Sequence, residues 1–263
     1  MRIATWNINS VRLRLGLLEK FIDKYKPDVI CLQETKAMDD VFPALALVAK
    51  GYKHQHIHGM KSYNGVAILS RLPLSKPGIK HWQGKEDRRH IFAELPDGTE
   101  IHCCYVPAGG DIPDPKANIK FAHKLGFMDE MTKWWQGRKD NRKAKILVGD
   151  LNVAPLENDV WSHKQMLDIV SHTPIEVEKL TRWQKSHNFI DAIRHFVSPE
   201  KKLYSWWSYR ANDWEASDRG RRLDHIWITP TMVTALKRAE IVREARSWGP
   251  KPSDHVPVIL DVG

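Results

Sequence analysis

Apolar runs that end in an acidic residue recur along the whole of this 263-residue chain. VICLQETK carries Glu34, ILVGDLN carries Asp150 and Asn152, RRLDHIWI carries Asp224, and PSDHVPVIL opens with Asp254 and His255. A carboxylate at the end of a buried strand is held by a stiff backbone while its head faces solvent. Such ends can converge only if the chain closes as one unit, because any cut between Asn7 and His255 separates members of the set. The pattern therefore predicts one domain over 1–263 and a clustered, carboxylate-rich site of the kind that metal-dependent hydrolases use.

The strand-like runs at 2–7, 28–33, 65–69, 91–95, 100–106, 145–149, 224–229 and 256–260 are mostly rich in Val, Ile and Leu, as strands covered on both faces should be. Helical spacing lies between several of them. Segment 11–26 puts Val11, Leu15, Leu18 and Ile22 on one stripe, with Lys20 and Lys24 opposite and Ser10 where an N-cap belongs. Segments 116–136 and 176–187 predict two more helices. KPGIK (76–80) and GGDIPDP (109–115) read as loops. Strands mixed with helices, and hairpin-like pieces near 91–106, predict a layered α/β sandwich with mixed sheets.

Lys plus Arg total 41 and Asp plus Glu 32, a net charge of +9. A basic chain with an acidic site points to a polyanionic substrate and a bound cation, although positive charge serves plain solubility equally well. Cys31, Cys103 and Cys104 are odd in number and show neither a disulfide framework nor zinc spacing. With no signal peptide before the strand RIATWNI and no apolar run long enough to cross a bilayer, the expectation is a cytoplasmic protein that meets no membrane.

Each motif has a chemical and a plain reading. Glu34 suits a hard cation such as Mg²⁺, which takes oxygen ligands; an ordinary glutamate before a loop is the alternative. Gly149 lets another group approach closely, and Asp150 and Asn152 share a face if the strand continues, but the same residues favour a turn. Pro257, just after Asp254 and His255, predicts an edge strand or a first-residue position. His255 could stabilise charge on a phosphate if Asp224 orients it. His54, His56 and His58 alternate, which makes either a metal-binding face or, as we take it, a polar strand face. Trp134 and Trp135 are assigned to a helix core. Trp206, Trp207, Tyr209, Arg210 and Trp214 mix aromatic rings with a cation, a composition suited to nucleic acid. Arg12 and Arg14 either face such a polyanion or form the solvated side of the first helix.

TWNINSVR, LQETK, YVPAGG, GDLN, SWWSYR, DRGRRLDHI and KPSDHVPV occur in an order and over a span, residues 5 to 258, that resembles the exonuclease III family of AP endonucleases. GDLN and SDH are shared with a wider superfamily that includes DNase I, inositol-phosphate phosphatases, sphingomyelinases and deadenylases. LQETK, the RGRRLDHI block and KPSDH are typical of the DNA-repair branch. The resemblance implies a four-layered α/β sandwich of two packed mixed β-sheets flanked by helices. It also implies Mg²⁺-dependent cleavage of duplex DNA, with Mn²⁺ as a substitute, on the 5′ side of abasic sites and at 3′ ends, by a monomer. Carried over, Tyr105, Asp150, Asn152, Asp224 and His255 are the catalytic set. Asn7, Glu34, Asp150, Asn152, Asp254 and His255 form the metal environment, with Glu34 the direct ligand. Arg12, Trp206, Arg221 and Leu223 are substrate-binding, and Trp206 and Leu223 wall the pocket for a base-less sugar. Ala108, Asp111 and Arg221 depart from the family pattern, Arg221 standing where relatives can have an apolar or aromatic wall. Two other classes are compatible with the scaffold: a phosphodiesterase or phosphatase for a small phosphorylated or lipid substrate, and a nucleic-acid-binding module without catalysis. The basic balance counts against the first and the intact acidic set against the second.

Overall fold

The computed structural model describes every residue except 139, 141 and 212. Its first sheet contains β1 (Arg2–Asn7), β2 (Val29–Gln33), β3 (His54–His58), β4 (Val66–Ser70), β13 (Leu236–Ile241) and β14 (Val258–Val262), in the spatial order β13-β14-β1-β2-β4-β3. The second contains β5 (Ser75–Trp82), β6 (Lys85–Glu94), β7 (Glu100–Tyr105), β8 (Lys145–Asp150), β9 (Ile190–Asp191) and β12 (Asp224–Ile228), in the order β5-β6-β7-β8-β12-β9. Each sheet holds one parallel pair, β1 with β2 and β7 with β8, among antiparallel neighbours. Both are therefore mixed. A short antiparallel ribbon pairs β10 (Trp206–Trp207) with β11 (Gly220–Arg221).

Alternation along the strands builds the layers. Ile3, Val29, Cys31 and Ile68 of the first sheet meet Ile101, Cys103, Val148 and Ile226 of the second in a dry layer between the sheets. The opposite faces turn outward. Ala4, Ile30 and Leu32 pack in one cluster with Leu18, Phe21 and Ile22 of α1 (Leu15–Tyr25) and Leu47 of α2 (Ala44–Ala49). Cys104, Leu147 and Trp227 pack under α3 (Ile119–Gly137) and α5 (Pro174–Ser186), whose Phe121, Met128, Leu180 and Trp183 close that side. This helix–sheet–sheet–helix order is the expected sandwich. Cys103 and Cys104 fall on opposite faces, as adjacent strand residues must, and all three thiols are free and buried.

Three local readings are corrected. KPGIK is not a loop but part of β5, an edge strand with a register shift between Ser75 and Gly78. An edge tolerates Pro77, and the Phe92 ring lies across Gly78 where a side chain would stand. The first helix starts at Leu15 rather than at 11, and Ser10 is not its cap. Asn9 and Ser10 take positive φ (46° and 87°), which turns the chain before the helix can begin. Arg14 is no solvated helix residue: it is buried and donates to the carbonyls of Ile8, Asn9, Lys251 and Pro252. The other two helices begin at true caps, Asn118 for α3 and Thr173 with Glu176 in a capping box for α5.

Candidate active site

The parallel pairs aim their carboxyl ends at one edge of the sandwich. Asn7 ends β1 opposite Gln33 of β2, and Glu34 follows at once. Tyr105 ends β7 in register with Asp150, the last residue of β8, and Asp150 lies opposite Asp224 at the start of β12. His255 arrives from the far end of the chain. The Trp6 indole donates to its carbonyl at 3.0 Å, and Ser253 links its amide to the Asn7 carbonyl. Two positions depend on unusual backbone. Gly149 has φ 147°, and a side chain there would run into the Cys104 carbonyl of the neighbouring strand. Of the two readings left open for Asp150 and Asn152, a continuing strand or a turn, the structure has the turn: Asn152 goes left-handed at φ 54° and folds back to share the site. Its backbone amide donates to Asp150 Oδ1 at 2.9 Å and its Nδ2 to Asp150 Oδ2 at 3.1 Å.

The side chains form one buried network. Asn7 Nδ2 donates to Glu34 Oε1 and to Asp150 Oδ2, both at 2.9 Å, and thereby bridges the two sheets. Tyr105 donates to Glu34 Oε1 at 2.8 Å. His255 Nδ1 meets Asp224 Oδ2 at 2.8 Å, and its Nε2 lies 3.6 Å from Asp150 Oδ2. Ser205 Oγ also donates to Asp224 Oδ2, at 2.6 Å. Asp254 accepts from the Trp206 indole and from Asn9, both at 3.0 Å. Lys36, which was not singled out although it stands in LQETK, bridges Glu34 Oε2 at 2.8 Å and Asn9 Oδ1 at 2.7 Å.

Burial and charge set the protonation. Burial pushes Asp150 above the usual carboxylate range, and Asp224 adds to the push while His255 opposes it. Burial works against a charged His255, yet Asp224 and Asp150 outweigh it and hold the imidazole above its ordinary value. Burial would raise Glu34, but Lys36, Asn7 and Tyr105 hold it below. Burial, with Glu34 and Asp150 beside it, keeps Tyr105 a neutral phenol. Asp150 and His255 thus form a coupled acid–base pair in which Asp224 fixes the ring.

A cation fits this donor set. Asp150, Asp224 and His255 offer atoms within 4.8 Å of one another, the only such His, Cys, Asp or Glu group among the described residues. Asp224 Oδ1 is buried with no protein partner, and the rest of the surroundings is carboxylate and amide oxygen without a thiolate. His54, His56 and His58 form the polar face of edge strand β3, as taken: His58 packs on Arg88 and His81, and His56 meets the Gly78 carbonyl.

Beside the network opens a cavity of about 760 Å³ that includes Tyr105, Asp150, Asn152 and His255 in its lining. Trp206, Leu223, Met166 and Ile169 give it an apolar wall. Arg221, named above among the substrate-binding residues, lines the cavity beside that wall. Its guanidinium lies 4.9 Å over the Trp206 ring and donates to Val170 O and Ser171 Oγ. Ala108, Asp111, Arg210 and Arg219 also line the cavity. Arg12 is exposed and is not among the residues lining it. The short helix α4 (His163–Met166) and the turn after it, which supply Met166 and Ile169, carried no signal in the sequence. Trp135 is core, as expected, with Trp134 packed against it.

A two-sheet sandwich with an acid–histidine–acid line beside a carboxylate-rich edge defines a phosphoesterase-type hydrolase. The chain belongs to the Endonuclease/Exonuclease/phosphatase family, whose model matches residues 4–255. It is 28% identical to exodeoxyribonuclease III of Haemophilus influenzae over 98% of both chains, and 29% identical to the DNA repair nuclease APEX1 of Danio rerio over 99% of this chain and 81% of that one. Among solved structures it is similar to an AP endonuclease from Archaeoglobus fulgidus, with TM-score 0.91, 29% identity and coverage of 100% and 99% of the two chains. The 3'-5' exonuclease NExo from Neisseria meningitidis gives TM-score 0.90 at 30% identity over the same shares.

Proposed function

We propose that the chain is a magnesium-dependent DNA-repair nuclease that cuts duplex DNA on the 5′ side of abasic sites and trims 3′ ends, working as a monomer in the cytoplasm. The observation that carries this reading is one cavity in which the Asp224–His255–Asp150 line, Tyr105 and Asn152 meet an apolar wall of Trp206 and Leu223. The names of its relatives, an exodeoxyribonuclease, a DNA repair nuclease and an AP endonuclease, support the same substrate. Among the described residues, no helix is long and apolar enough to cross a membrane.

Glu34, with Asn7 behind it, and the carboxylate oxygens of Asp150 and Asp224 would hold the cation, and magnesium or manganese suits such oxygen donors. Bound there, it supplies a Lewis acid that offsets charge on the phosphoryl oxygens and the leaving oxygen. The chain's own groups do the rest. Asp150, buried and raised in pKa, aligns the attacking water and takes its proton. The His255 imidazolium donates to the phosphoryl oxygens, where negative charge grows in the transition state, and Tyr105 and Asn152 join it by turning a donor from Glu34 and Asp150 to the bound phosphate. Asp224 holds His255 Nδ1–H and so fixes which nitrogen faces the phosphate. Asp254 orients the Trp206 indole, and Trp206 and Leu223 then admit a base-less sugar while crowding an intact base. A nucleotide without its base also costs less to extrude, since no stacking is lost.

A nicking assay on a duplex with one abasic analogue, with and without Mg²⁺, tests the reading. Cleavage on the 5′ side of the analogue that requires the cation is expected. Cleavage confined to small phosphate esters would overturn it.

A further inference from the structure

Behind the site lies an ion pair for which the reaction described above has no use. Lys124 of α3 and Glu176 of α5 meet with both side chains at 0% exposure. Taking two charges out of water costs several kcal/mol per ion, and apolar residues of equal volume often hold two helices together as well. Each proton and lone pair here is instead spent on a particular backbone segment. Lys124 Nζ donates to the Asn152 carbonyl at 2.7 Å and to the Ala108 carbonyl at 3.2 Å, with Glu176 as its third acceptor. Glu176 accepts from the Ser171 amide at 3.0 and 2.9 Å, from the Thr173 amide at 3.1 Å and from the Thr173 hydroxyl at 2.6 Å. Ser171 and Val170 in turn receive the Arg221 guanidinium that lies on Trp206. An unbroken polar chain therefore runs from the pocket wall, through the pair, to the residue beside Asp150.

We propose that Lys124 and Glu176 are positioning residues that couple the pocket wall at Val170, Ser171 and Arg221 to Asn152, so that a sugar seated in the pocket is rewarded in turnover and not only in binding. The proposal rests on the functional reading above. Neither residue touches substrate. Asn152 holds its left-handed turn with its amide on Asp150 and its carbonyl on Lys124, so a shift of the Ser171 segment reaches it through two charged contacts.

The test uses the full chain with Mg²⁺ and an abasic-analogue duplex. K124M/E176Q removes both charges together and leaves no buried ion unpaired. Its kcat should fall about fivefold or more, the lower end of ordinary coupling between sites, while KM changes much less. R221A should lower kcat in the wild type but add no further loss in K124M/E176Q. K124Q/E176Q, which also removes both charges and keeps an oxygen for the Ser171 amide, is read in the same way if K124M/E176Q does not fold. A lower melting temperature with kcat and KM unmoved would make the pair ordinary helix packing and overturn the proposal, as would losses from the two sites that simply multiply. A wild type that does not nick this duplex would sink the functional reading and the coupling with it. A wild type that nicks, with variants behaving as core substitutions, sinks the coupling alone.

Discussion

Asp224→Asn is the substitution whose cost can be worked out most directly. The carboxylate is fully buried, and its Oδ2 takes His255 Nδ1 at 2.8 Å and the Ser205 hydroxyl at 2.6 Å. An amide has nearly the same shape, so packing is kept while the charge is lost. A hydrogen bond to a charged group contributes about 1.5–3 kcal/mol. If that help is present mainly when the imidazolium faces a phosphate gaining charge, the loss falls on kcat, at about 1.4 kcal/mol per factor of ten. The expected fall is therefore about 10- to 150-fold, with DNA affinity changed far less. Steady-state kinetics on an abasic-analogue duplex, with affinity from fluorescence anisotropy and a melting curve to establish folding, measures all three. A folded variant with kcat within about twofold of wild type would refute the orienting role, because no carboxylate–imidazolium bond of that geometry is worth so little. A fall in affinity equal to the fall in turnover would refute it too, by placing Asp224 in ground-state binding.

Activity should vanish in excess chelator and return with Mg²⁺ or Mn²⁺; Glu34→Gln should raise the metal concentration needed, and a metal-stripped sample with full activity would remove the cation from the site. Trp206→Ala should lower the ratio of kcat/KM for abasic over undamaged duplex more than it lowers basal cleavage, and an unchanged ratio would leave Trp206 as packing alone. Acid should destabilise the fold. His90, His102, His172 and His187 are held below the ordinary histidine value, chiefly by burial. The unfolded chain therefore binds protons the folded one refuses, and stability falls once pH drops below about 6.5. Asp159 and Asp191, held low against their burial by Arg222, add a second loss below about pH 4. Melting temperatures measured by circular dichroism from pH 7.5 downward should therefore decline, and a flat profile to about pH 4 would contradict the linkage.

The eight inner strands of the two sheets were legible because residues covered on both faces leave continuous apolar runs, whereas the edge strands β9 and β13 gave no such run. β5 was not legible, because an edge strand can hold Lys76, Pro77 and Gly78 without harm to the ladder. The start of α1 was hidden for a different reason: Arg14 is fixed by carbonyls at 251 and 252, which nothing within its own segment reveals. The candidate site was legible where a residue stands at a strand end, as Glu34, Asp150 and Asp224 do. It was illegible where the partner is brought in by tertiary packing alone. Lys124 and Glu176 are 52 residues apart on separate helices, and each reads as an ordinary charged residue of its own segment.

The site is a seam between the two sheets, and this makes the dry layer beneath it part of the chemistry. Asn7 belongs to the first sheet and Glu34 directly follows its β2; Tyr105, Asp150 and Asp224 belong to the second. The bonds that join them, Asn7 to Asp150 and Tyr105 to Glu34, cross from one sheet to the other at its edge. Just below, Gln33 donates to Cys103 Sγ at 3.2 Å, and Cys103 Sγ reaches the Leu32 carbonyl at 3.3 Å. Close-packed interiors transmit changes as small as a methylene. The spacing between Glu34 and Asp150 is thus set by side-chain volume at Cys31, Cys103 and Val148 as much as by the motifs themselves. A carboxylate delivered by either sheet alone would have the right identity and the wrong distance.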